Sequence, residues 1–266
     1  MSVLKLAVTA ALVLSLAFLV ACNDADEKRT PNPKPSAQAA PQQSAPEGDE
    51  DDENPAQPNA ASAESPAPLQ AAGQQLAYNF DSEALGQLPQ KFHAALTGSG
   101  NESKWAVTAD ASAPSRPNVV AQTSTDKTDY RFPLLIGDEG SFRDLDLSVR
   151  FKAVSGNIDR AGGLVFRLRD PNNYYIVRAN ALENNYRLYH VVNGRRSQFG
   201  GANLKVTSGE WHELRVEAVG NKITCYYDGN KKIEATDETF KDAGKIGLWT
   251  KADSVTYFDD LKATAK

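Results

Sequence analysis

An all-β fold, antiparallel and built as two packed sheets, is predicted for residues 74–266 by three observations. Apolar and polar residues alternate with a period of two in many short runs. Asn-Gly or Asp-Gly separates several of those runs, and no long stretch repeats its apolar residues every 3.6 positions. Alternation gives each strand one face for a core, and the dipeptides supply the positive φ that two-residue hairpins need. Short helical pieces are expected only around residues 82–85 or 237–241.

The chain begins with Met1 to Lys5 and an apolar run at 6–20, too short for a confident membrane-spanning helix. Residues 1–21 read as a secretory signal. The run ends in Leu19-Val20-Ala21-Cys22, which resembles the lipobox of bacterial lipoproteins. That resemblance implies a diacylglyceryl group on Cys22 and cleavage before it. Stable anchoring takes more than one acyl chain, so the implied mature protein is held on a bilayer. Asn23 in place of Asp favours the outer membrane where an envelope has two, and the expected location is the cell envelope. Once Cys22 is lipidated, Cys225 has no partner for a disulfide. It lies in Ile223-Thr224-Cys225-Tyr226-Tyr227, where a buried, inert thiol is the ordinary reading.

Residues 22–73 are rich in Pro, Ala, Gln, Ser and acids and poor in large apolar side chains, so they cannot offset the entropy of ordering. They are read as a disordered tether, reaching roughly 40 Å as a coil and roughly 155 Å if extended. Its ten acids, including Asp49-Glu50-Asp51-Asp52-Glu53, face only Lys28, Arg29 and Lys34. Residues 74–266 carry 25 basic and 24 acidic side chains, and this near-neutral balance argues against nucleic acid as a partner.

Within the domain, Leu145, Leu147, Val149 and Phe151 alternate with Asp146, Ser148, Arg150 and Lys152. The pattern returns at 164–169, 174–180, 186–192, 211–219, 246–251 and 255–261. Asn193-Gly194, Asp228-Gly229 and Gly220-Asn221 break these runs and predict hairpins. About 190 residues suffice for one large sandwich core.

Particular motifs refine the fold: Ala161-Gly162-Gly163-Leu164-Val165-Phe166-Arg167, Asn173-Tyr174-Tyr175-Ile176-Val177-Arg178-Ala179-Asn180, and Gly209-Glu210-Trp211-His212-Glu213-Leu214-Arg215-Val216. With Gly247-Leu248-Trp249-Thr250-Lys251-Ala252-Asp253-Ser254 and Phe258-Asp259-Asp260-Leu261, they resemble the concanavalin A-like lectin and glucanase jelly rolls. Within that superfamily the resemblance is to the laminin G-like and 3-keto-disaccharide hydrolase-like group, over roughly residues 76–263. It implies a jelly-roll sandwich whose concave outer face holds saccharide. It also implies that the Trp211-His212 pair is structural, and that calcium ties the first and last strands through Asp81, Asp259 and Asp260.

Alternation indicates what lies on the outer face. If Leu164, Phe166 and Leu168 face the core, Val165, Arg167 and Arg169 face out. Tyr174, Ile176, Arg178 and Asn180 then lie opposite Tyr175, Val177 and Ala179, and Arg187 and Tyr189 lie opposite Tyr186 and Leu188. Residues 150–196 hold nine basic side chains against Asp159, Asp170 and Glu183. Arginine forks bind carboxylate or sulfate, and aromatic faces stack on sugar rings, so Arg167, Arg178, Asn180, Arg187, Tyr189 and Trp249 form the candidate face for an acidic oligo- or polysaccharide.

Catalytic signatures are sparse. Retaining glycosidases place two carboxylates about 5–5.5 Å apart, and family 16-like relatives present them along one strand as Glu-x-Asp-x-Glu, a motif the domain lacks. Glu213 and Glu217 flank Arg215 in a pattern that reads as cross-strand ion pairing. His93, His190 and His212 are scattered, and no His-Glu-x-x-His, Gly-x-Ser-x-Gly or Gly-x-Gly-x-x-Gly occurs. The expected function is therefore a non-catalytic, lectin-like lipoprotein. A glycoside-cleaving enzyme and an envelope module that binds a protein partner are the two alternatives.

Overall fold

The computed structural model describes residues 73–266. The signal segment, Cys22 and the tether up to residue 72 lie outside the described residues. Described residues form fifteen strands: β1 (Gln75–Tyr78), β2 (Phe92–Gly98), β3 (Trp105–Ala109), β4 (Asn118–Gln122), β5 (Arg131–Gly137), β6 (Leu145–Ser155), β7 (Ala161–Asp170), β8 (Asn173–Asn180), β9 (Asn185–Val192), β10 (Arg195–Asn203), β11 (His212–Val219), β12 (Lys222–Tyr227), β13 (Asn230–Thr236), β14 (Lys245–Trp249) and β15 (Val255–Ala265). One sheet runs β13-β12-β11-β6-β15-β4-β3, with β1 also paired to β15, and the other runs β10-β9-β8-β7-β14-β5-β2. Every pairing is antiparallel, and the fold is the jelly-roll sandwich the sequence motifs resemble.

The hairpin dipeptides act as their chemistry demands. Asn193 and Gly194 have φ of 49° and 77°, and Asp228 and Gly229 have 47° and 73°, so both residues of each turn are left-handed. Neither expected helical piece forms. Residues 82–85 are turns and bends. At 237–241 the Asp237 carboxylate accepts the Thr239 amide at 2.8 Å, a side-chain-to-backbone bond that competes with a helix.

The main core lies between the sheets, where Leu145, Leu147, Val149 and Phe151 of β6 meet Leu164 and Phe166 of β7, Tyr175 and Val177 of β8 and Leu188 of β9. Cys225 is buried there as a free thiol, and burial pushes it far up from its ordinary pKa. A second apolar cluster covers the opposite, outer face of the seven-stranded sheet: Phe132, Leu134, Ile136, Val165, Tyr174, Ile176, Tyr189, Val191 and Trp249.

That outer face is buried because the sheet curls across it. Thr97 at the end of β2 donates to the Pro171 carbonyl and meets the Tyr174 hydroxyl at 2.9 Å. Just before β5, Tyr130 donates to the Gly194 carbonyl at 2.6 Å. Gly98 permits the close approach of β2 to the chain entering β5 at this end: its φ is 89°, and a Cβ there would lie 2.1 Å from the Tyr130 carbonyl oxygen.

Candidate functional site

Three strands build the polar part of the outer face. Registers Arg178↔Arg187, Asn180↔Asn185 and Ile176↔Tyr189 put Arg178, Asn180, Arg187 and Tyr189 on one surface, as alternation predicts. Arg178 is the hub. It donates to Asn185 Oδ1 at 2.5 Å, Glu183 Oε2 at 2.9 Å and the Tyr189 hydroxyl at 3.1 Å, while its Nε is buried without a partner. Glu183 also accepts from the Asn185 amide at 2.9 Å. Burial works against ionisation of Glu183, yet Asn185 and Arg178 hold its carboxyl below the usual range. Arg187 lies half-buried beside them, donating to the Ala202 carbonyl and to Asn203.

Asn180 reaches a second polar group. Its amide donates to Asp159 Oδ1 at 2.9 Å, and Lys251 Nζ lies 3.2 Å from Asp159 and 2.7 Å from Asp129. Burial pushes the Asp159 carboxyl up against the pull of Lys251 and Arg178. Asp253 fixes the adjoining loop by accepting the amides of Asn157, Ile158 and Asp159 at 2.8–3.0 Å.

Two predicted members are placed differently. Arg167 does not face outward. It is a bulge residue with φ of 47°, at a register shift between Phe166 and Asp170 and opposite the shift between Lys245 and Gly247. A Cβ at Gly244 would come within 2.5 Å of the Arg167 backbone, which is how closely the residue preceding β14 crowds this point. The extra residue reverses the alternation, so Leu168 joins the outer cluster while the Arg167 guanidinium donates to the carbonyls of Arg143, Phe240 and Gly220. Trp249 is on the expected face, in register with Gly163, yet it is 0% exposed and stacks on Phe132 at 5.4 Å. Its ring offers no surface to a sugar.

Arg196, which alternation on β10 would have placed opposite Val191, completes the face. Its guanidinium lies 4.4 Å from the Tyr189 ring centroid, 4.9 Å from Phe132 and 5.7 Å from Trp249. Arg196 Nη1 and Arg178 Nε are both buried donors without a hydrogen-bond partner among the described residues. The face thus presents arginine, amide and tyrosine groups above an aromatic floor.

The expected calcium ligands do not assemble. Asp81 accepts the Asn118 amide at 3.1 Å, Asp259 accepts Ser115 N and Oγ at 2.8–3.1 Å, and Asp260 pairs with Lys262 at 3.2 Å. No group of three metal-ligating side chains occurs among the described residues. Arg215 grips Asp146 with two bonds of 2.5–2.7 Å and lies 3.5 Å from Glu217, the cross-strand pairing expected on β11.

Residues 93–264 match a family described as the 3-keto-alpha-glucoside-1,2-lyase-like domain. No sequence among curated proteins matches the chain. Among solved structures, the carbohydrate binding module CBM66 from Bacillus subtilis is 20% identical with a TM-score of 0.52, over 64% of this chain and 94% of that one. A Bacillus subtilis protein with a galectin-like fold is 10% identical with a TM-score of 0.49, over 73% and 96%. Domain 4 of a Geobacillus stearothermophilus arabinanase, solved with arabinotriose, is 14% identical with a TM-score of 0.46, over 73% and 93%. At such identities the likeness is one of fold.

Proposed function

The chain belongs to the family of 3-keto-alpha-glucoside-1,2-lyase-like domains, matched over residues 93–264, and from that premise we propose that it is a saccharide-binding protein of the cell envelope. The outer face around Arg178 receives the sugar, and the domain does not cleave it. The observation that carries this reading is the row of Arg178, Arg187 and Arg196 with Asn180, Asn185 and Tyr189, in which two buried guanidinium donors remain without partners. Arg178, Asn180, Asn185 and Tyr189 are themselves buried, so a glycan would meet the row at its margin, where Arg187 and Arg196 are half-buried. Arginine recommends acidic glycans over neutral ones. Glu183 and Asp159, the carboxylates beside this row, are each engaged by a cation and an amide, which supports binding over hydrolysis.

In this proposal lipid on Cys22 fixes the protein to a bilayer, and the 22–73 tether lets the domain reach glycan away from it. The test is an array of neutral and acidic oligosaccharides probed with the full-length chain, scoring retention and cleavage products together. Retention without products, lost in Arg178→Ala, is expected. Retention of a protein partner that persists after glycans are stripped would overturn the saccharide reading.

One observation favours the alternative of a glycoside-cleaving enzyme. Elimination across C1 and C2 of a 3-keto-glucoside needs a base for the C2 proton, which the neighbouring ketone acidifies. Asp159, buried with its carboxyl pushed up and with Lys251 beside it, has the environment of a tuned base. Product formation that Asp159→Asn abolishes while glycan retention survives would establish this second reading.

A further inference from the structure

We propose that the groove where Tyr130 meets the β7–β8 and β9–β10 turns is an anion subsite, taking the carboxylate or sulfate of an acidic sugar. The inference rests on the saccharide reading above and adds a place and a charge to it. The groove has a volume of about 630 Å³, within the range of small-ligand sites, and Tyr130, Asn172, Asn193, Arg195 and Arg196 line it together with two glycines. No carboxylate is among these residues. The acid of the β7–β8 turn, Asp170, is already filled by the Asn172 amide and the Asn173 side chain at 2.7–3.0 Å.

Arg195 and Arg196 set this groove apart from the other arginines of the seven-stranded sheet. Arg160, Arg167, Arg169, Arg178 and Arg187 each donate to a carbonyl or polar side chain, whereas the side chains of these two make neither an ion pair nor a hydrogen bond among the described residues; Arg150, on β6 of the other sheet, likewise has a buried Nε without a partner. Both arginines line the groove, and an oxyanion bound in it would supply the missing counter-charge and planar acceptors. Arg196 is already oriented by the Phe132, Tyr189 and Trp249 rings. Tyr130 is 46% exposed, and its hydroxyl is fixed on Gly194 at 2.6 Å, so the ring stands at the groove as a preset apolar wall for a pyranose.

The experiment is calorimetric titration of the full-length chain with tetragalacturonate, a κ-carrageenan tetrasaccharide and maltotetraose, which carry carboxylate, sulfate and no charge. Expected results are at least tenfold tighter binding of one charged sugar than of maltotetraose, and weakening on raising NaCl from 50 to 500 mM. Arg195→Ala and Tyr130→Ala should each weaken it fivefold or more, with thermal midpoints unchanged for the exposed Arg195. The tighter charged sugar identifies the oxyanion. Equal affinity for charged and neutral sugars, or full affinity in Arg195→Ala, overturns the subsite alone, provided Arg178→Ala still abolishes binding. If no sugar binds the wild-type chain, the saccharide reading falls with it.

Discussion

The guanidinium of Arg196 on β10 lies 4.9 Å from the ring centroid of Phe132 on β5, although four strands separate the two in the sheet. Such a contact requires the sheet to roll until its margins approach across the concave face. It turns what would be an open concave surface into a second core with a polar margin. Arg196 should therefore matter to stability. Cation–π contacts are worth about 0.5–2 kcal/mol each, so Arg196→Ala should cost about 2 kcal/mol and lower the midpoint by roughly 4–8 °C in a domain of this size. Arg196→Lys should recover only part, since an ammonium cannot lie flat on three rings. Thermal denaturation with no shift in either variant would refute the closure.

Trp249 and Phe132 supply the complementary test. Both are buried and stack on one another. Trp249→Ala should cost about 3–5 kcal/mol as a core deletion. Its loss of glycan binding should follow global unfolding, measured in urea. A folded Trp249→Ala protein that specifically loses sugar would instead make the ring a ligand platform.

Arg167 leads to a prediction of a different kind. Three backbone carbonyls, from Arg143, Phe240 and Gly220, share its donors. Arg167→Ala should cost about 3–5 kcal/mol by leaving them buried and unpaired, without selective loss of binding in whatever fraction stays folded. Arg167→Lys should rescue little, because one amine cannot serve the three carbonyls as the planar fork does. Chemical denaturation of both variants checks this.

The sequence made the sandwich legible because period-two alternation over β6, β8, β9 and β11 survives intact in the structure. Arg178, Asn180, Arg187 and Tyr189 were legible for the same reason. Alternation failed where the physics changed. At Arg167 one bulge residue reversed the faces. β4 and β5 are buried on both sides and read as continuous apolar runs, without the period that marks a half-exposed strand. Trp249 was correctly assigned to its face, but nothing local encodes that β2 and β5 curl over it. Arg195 and Arg196 were counted among the basic residues of the region, yet their lack of counter-charges is a property of tertiary packing and has no local signature.

The Asp253 loop gives a pH prediction whose direction depends on which carboxylate dominates. Burial raises the Asp253 carboxyl, but the amides of Asn157, Ile158 and Asp159 outweigh it and hold the group below its ordinary 3.8. A lowered folded pKa contributes stability that is present above the unfolded value and lost as pH falls through the folded one. Asp159, in the same loop, is raised, so its contribution has the opposite sign: present below 3.8 and lost as pH climbs through its folded value. From pH 7 down to 3 the two therefore oppose one another. Hydrogen exchange at the 157–159 amides separates them, because those amides bond to Asp253. Their protection should fall on acidification below pH 4 in the wild-type chain. Asp253→Asn should lower protection already at pH 7 and remove the pH dependence, while Asp159→Asn should leave the acid loss of protection in place. If protection in Asp253→Asn still fell with acid as in the wild type, a group other than this carboxylate would be holding the loop.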